Sequence, residues 1–159
     1  MGKRTLMTDS NDLTQVVMRT AYIENLLNQV IEGYCAPRNE AAHFFWSVLL
    51  DSSIIQLGAK IKASLSIAHE MKVRLDRNSL YKLVSFRNAF AHHKIDSHPT
   101  ILVNENREED ELHFFLEVLS SSGKIERIQR ENALADFNRY YEKCKVSLGE
   151  LLDKIKSLS

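Results

Sequence analysis

Five glycines and two prolines are all that interrupt the 159 residues of this chain, too few breakers for an all-β fold full of tight turns. The same scarcity leaves long stretches in which apolar residues recur every three or four positions, the spacing of amphipathic helices. The first stretch covers about residues 12–34. Leu13, Val17, Leu27 and Ile31 form its stripe, and Val16, Ile23, Val30 and Tyr34 flank it. Gly33 and Pro37 are expected to end it, and residues 1–10 are expected to be a flexible start. The cluster Phe44, Phe45, Trp46, Val48, Leu49 and Leu50 reads as core. A helix over about 54–71 follows, with Ser52 or Ser53 as its cap, and then a helix capped by Asn78 or Ser79 that reaches His92. Another covers about 132–156, with Leu134, Phe137, Tyr141, Leu148, Leu151 and Ile155 near its apolar face.

The pattern changes after Pro99. Thr100, Ile101, Leu102 and Val103 are rich in β-branched residues, residues 112–119 form a second apolar run, and Ser121-Ser122-Gly123-Lys124 reads as a turn into 125–128. The fold class expected is mainly α, a helical bundle with a small antiparallel β-meander inserted at about 100–129. Residues 11–159 are expected to form one domain.

Equal numbers of basic and acidic side chains give a net charge of zero, which excludes a chain-wide pull towards nucleic acid. The charges are uneven along the chain, however. Eight basic residues face two acids between residues 60 and 94, and six acids face Arg107 alone between 104 and 117. Two solvated faces of opposite sign would explain this, and so would a local anion-binding surface around 60–94. Cys35 and Cys144 lie far apart in an arrangement that suits reduced thiols, not a disulfide framework. No apolar run approaches the roughly 18 residues of a membrane span, and Met1-Gly2-Lys3-Arg4 opens no secretory signal, so a cytoplasmic protein with no membrane contact is expected.

Chemistry concentrates on the segment ending at His92. On a helical wheel Leu80, Leu83, Val84, Arg87 and Ala91 share a stripe, which places a guanidinium on an apolar face where it is costly without a partner. Asn88 and His92, four apart, are neighbours at the edge of that face. The first helix carries one carboxylate, Glu24, in the middle of its stripe, and Asp51 is a second candidate acid. A Glu24–Arg87 ion pair is therefore expected. It would either fix helix register or hold Arg87 ready for an anionic ligand. His92, beside His93, would either cap its helix or transfer protons at neutral pH. Arg87 and His92 together supply the parts of metal-independent RNA cleavage: a base for the 2′-hydroxyl and a cation for the phosphorane. His92, His93, Asp96 and His98 match no standard zinc spacing, and no phosphate-binding loop, dinucleotide fingerprint or nucleophile elbow is present. No metal and no cofactor is expected.

The run Leu83-Val84-Ser85-Phe86-Arg87-Asn88-Ala89-Phe90-Ala91-His92 resembles the signature helix of the HEPN superfamily, in which an Arg, often followed by Asn, precedes a His by a few residues. Together with residues 54–62, it more particularly resembles the mannitol operon repressor family. The resemblance covers about residues 13–95. It implies a helical bundle that forms a homodimer with two motifs facing a shared cleft. Two functions follow from it. One is an endoribonuclease of toxin or defence type that uses Arg87, Asn88 and His92, supported by Glu24, Asp51 and His93 and controlled by a cognate antitoxin. The other is a non-catalytic regulatory or protein-interaction module in which the Glu24–Arg87 pair is structural.

Overall fold

The computed structural model describes residues 2–92, 100–102, 111–120 and 122–158. Its elements in chain order are α1 (Gly2–Cys35), α2 (Asn39–Phe44), a π-helical turn (Phe45–Leu49), α3 (Leu57–Glu70), α4 (Arg77–His92), β1 (Thr100–Leu102), β2 (Glu111–His113), β3 (Phe115–Leu119), β4 (Ile125–Gln129) and α5 (Arg130–Lys156). The chain is mainly α with a small antiparallel β element. Among the described residues, no helix is long and apolar enough to cross a membrane.

Contacts divide the chain into two compact units. Residues 1–18 and 81–140 form one, and residues 19–80 and 141–159 the other.

In the first unit, β1 pairs antiparallel with β2, and β3 with β4. The second expected strand, 112–119, is interrupted at Phe114. Its carbonyl accepts the Arg130 N–H at 2.8 Å, so it serves the start of α5 instead of a ladder. The result is two separate ladders where one meander was expected. Along β3, Leu116 and Val118 are buried and Glu117 and Leu119 exposed, the alternation of a half-buried strand. Phe86 of α4 stacks on Tyr140 of α5 with ring centres 5.9 Å apart. Arg130 ties the unit together through a 3.0 Å ion pair with Asp12 and a position over the Phe90 ring.

In the second unit, Ile23, Leu27 and Val30 of α1 and Leu148 and Leu151 of α5 are fully buried or nearly so. Gly33 does not end α1. A Cβ there would lie 3.1 Å from Ile155 Cγ2, so this glycine permits close approach of α1 and α5. The helix ends two residues later, where Ala36 takes a left-handed conformation (φ 42°) just ahead of Pro37. At its other end α1 begins at Gly2, well before the expected start near residue 12, because no proline interrupts residues 2–11.

The aromatic cluster expected to be core is largely surface. Phe44 and Val48 are exposed, and only Leu50 is buried. A short helix widened into a π turn offers little apolar face to bury, and Trp46, Ser47 and Leu50 instead line a polar cavity. Neither Ser52 nor Ser53 caps α3, whose N-cap is Gln56. Ser52 and Ser53 are engaged by Glu24 and Asp51 respectively. The cap of α4 is Asp76, two to three residues ahead of the expected Asn78 or Ser79. Its carboxylate accepts the Ser79 N–H at 3.0 Å and the Ser79 hydroxyl at 2.7 Å. Both cysteines are free thiols, and burial pushes the Cys144 thiol up to about 12.

Candidate functional site

The C-terminal half of α4 carries the Arg87–His92 segment, and its burial pattern turns the helix away from the expected orientation. Leu83, Phe86 and Phe90 are buried and define the inward direction. Arg87 lies about 65° from that direction on a 100°-per-residue wheel. It is consequently half-buried at the margin of the core face, not at its centre. The two phenylalanines decide this, since each buries more apolar area than Val84 or Ala91 could offer on the alternative face. Arg87 Nη1 donates to Asn88 Oδ1 at 3.1 Å.

Tyr81, Val84, Ser85, Asn88 and His92 recur at three- and four-residue steps and form one face of α4. That face lines a cavity of about 490 Å³ whose other wall is Glu117, Leu119 and Ser120, at the end of β3. Asn88 and His92 are both exposed there, one turn apart, at the C-terminal end of the helix. The groove is thus floored by apolar side chains and rimmed by an imidazole, an amide and the Glu117 carboxylate. Such a mixture suits a ligand with both an apolar or aromatic part and polar groups to be oriented. Glu117 was not singled out from the sequence, although the outward position in an alternating strand was a readable signal.

Glu24, expected to pair with Arg87, has partners within its own unit. In the second unit, Glu24 Oε1 accepts a 2.6 Å bond from Lys60 Nζ and a short bond from the Ser52 hydroxyl. Lys60 is only 1% exposed, and its ammonium also lies 3.5 Å from Ser52 Oγ. A lysine so enclosed demands a carboxylate, and Glu24 is the one it has. In the sequence Lys60 is one of the eight basic residues of the 60–94 run. Asp51 stands near this pair, and its Oδ1 accepts both the hydroxyl and the backbone N–H of Ser53. Those two bonds hold the Asp51 carboxyl below the usual range, with a further lowering by the Lys60 charge. Glu24, Asn28, Trp46, Asp51, Ser52 and Lys60 contribute to the wall of a second cavity, of about 360 Å³.

The segment holding His93, Asp96 and His98 lies outside the described residues, as does the acidic run at 105–110. Among the described residues no three His, Cys, Asp or Glu side chains converge to hold a metal ion. No family model, curated protein or solved structure matches this chain.

Proposed function

We propose that this chain is a HEPN-like protein that acts on RNA, as a metal-independent endoribonuclease of toxin or defence type, through the α4 groove. The observation that carries this reading is the accessibility of the motif. Arg87 is half-exposed and, among the described residues, bonded to its neighbour Asn88, and His92 is exposed on the rim of an open groove. A purely register-fixing motif would have its charges buried and matched.

In the proposed reaction His92 takes the proton of the 2′-hydroxyl. The 2′-oxygen forms a bond to phosphorus as the bond to the 5′-oxygen breaks, and the leaving oxygen receives a proton. Arg87, steered by Asn88, neutralises the charge that builds on the phosphoryl oxygens. One chain supplies one such histidine, so the acid and base of a full cycle come from two copies facing one cleft. Glu24, engaged by Lys60 and Ser52, is assigned no step in this reaction.

The test is incubation of purified protein with varied RNAs in the presence of chelator. Cleavage is expected, with 2′,3′-cyclic phosphate ends, and a 2′-deoxy substitution at the scissile position should block it. His92→Ala should slow cleavage by about 10²–10⁴-fold, while the helical circular dichroism spectrum is retained. RNA bound but never cut would replace this reading with that of a regulatory binding module. Neither binding nor cutting would leave a protein-interaction role.

A further inference from the structure

The second unit contains a built cavity that the α4 groove does not explain. Its polar wall comes from three elements: Glu24 and Asn28 of α1, Asp51 and Ser52 of the turn before α3, and Lys60 of α3. Trp46 and Ser47 reach it from the π-helical turn. A π turn is an energetically poor way to continue a helix and is found frequently at functional sites. Here it brings a half-buried indole to the cavity.

One acceptor on this wall is unsatisfied: Asn28 Oδ1 is buried with no partner among the described residues. Leaving such an acceptor unpaired is costly, and it calls for a donor. Lys60 and Ser52 both bond to Glu24 Oε1, and both Ser53 donors go to Asp51 Oδ1. Among the described residues, the second oxygen of each carboxylate is thus left for a further donor. The charges sum to minus one: Lys60 neutralises Glu24, and Asp51, exposed and held ionised by Ser53, is left over. A buried acceptor is therefore left without a donor among the described residues, the residual charge is negative, and an aromatic ring stands beside them.

We propose that this cavity binds a small organic cation of guanidinium type. A planar guanidinium has donors directed to several sides, which suits acceptors that come from α1 and from the turn before α3. Its face can rest on an indole, a contact that favours cations. A volume of about 360 Å³ accommodates the guanidinium and a short alkyl tail. A divalent metal ion fits less well, because the Lys60 ammonium already sits 2.6 Å from the Glu24 carboxylate.

The experiment is calorimetric titration of the intact protein with agmatine, with its isostere in which a neutral urea replaces the guanidinium, and with a short arginine-containing peptide. Agmatine is expected to bind and the urea isostere not to bind. Asp51→Asn, Asn28→Leu and Trp46→Leu should each weaken agmatine at least about tenfold. Asn28→Leu removes an unpaired polar atom, so it should fold at least as well as the parent and keep the result interpretable if another variant fails to fold. If the peptide binds as agmatine does, the cation is a side chain of a partner; if only agmatine binds, it is a free metabolite. No heat from either cation at millimolar concentration, or agmatine binding unchanged by both Asp51→Asn and Asn28→Leu, overturns the proposal.

Discussion

Lys60 is buried to 1% exposure, and its ammonium depends on a glutamate that retains 21% of its side-chain exposure. This asymmetry sets what each substitution should cost. Glu24→Leu strands the ammonium in the interior and should destabilise by about 3–5 kcal/mol. Lys60→Met leaves behind a carboxylate that can still reach water and Ser52, so it should cost clearly less. The double variant should recover most of the Glu24→Leu loss, and urea denaturation of all four proteins would show it. Strict additivity of the two single effects would mean that the residues are not coupled. Arg87 gives the contrasting case. Being half-exposed, it should tolerate Arg87→Met with little loss of stability, so any loss of RNA cleavage by that variant can be read as chemistry.

At the level of the elements, α4 is the one on which the proposed activity rests, and its start is fixed by Asp76. The Ser79 backbone bond, assisted by the Ser79 hydroxyl and by the charges of Lys143 and Arg74, holds the Asp76 carboxyl below its ordinary value despite partial burial. A carboxyl lowered on folding stabilises the native state above its unfolded value of about 3.9, and that stability is lost as pH falls through the lower folded value. Asp76→Ala should therefore cost about 1 kcal/mol near neutral pH. The gap between parent and variant should narrow as the solution is taken below about pH 4. Denaturation midpoints measured at neutral and acid pH test this. A gap that widens on acidification would mean the carboxylate is not the stabilising form. Because the cap lies far along the helix from His92, the same variant should keep its cleavage products unchanged.

For the whole molecule, the proposed chemistry needs two copies, because each chain brings one Arg87 and one His92 to a cleft that requires both a base and an acid. Leu119 and Ile125 face each other across the β3–β4 ladder and are both exposed, and Leu119 also lines the α4 groove. An apolar pair at the edge of the α4 groove is where such an isologous contact would gain from burial. Light scattering at micromolar concentration should give the mass of a dimer, and Ile125→Lys should shift it towards monomer. A strict monomer that still cleaved RNA would require the acid and base to come from one chain, and Glu117, on the opposite wall of the groove, would then be the residue to replace.

The sequence by itself determined the helical character of the chain, the approximate extent of α3, α4 and α5, and the strands after Pro99. These follow from local chemistry: periodic apolar residues, β-branched runs, and breakers in short supply. It also brought Asn88 and His92 to one face, since four-residue spacing on a helix does so whatever surrounds it. Only the tertiary structure decided which way each helix turns. On α1 the buried line runs through Val16, Ile23, Leu27 and Val30, leaving Leu13 and Val17 exposed. On α4 Phe86 and Phe90 displaced Arg87 from the centre of the face. A wheel records which residues can share a stripe, but the area each one buries depends on the partner it meets, and partners come from distant parts of the chain. Lys60 shows the same limit most clearly. Its type and neighbours spell a surface lysine, and only the arrival of Glu24, thirty-six residues earlier in the chain, makes its burial affordable.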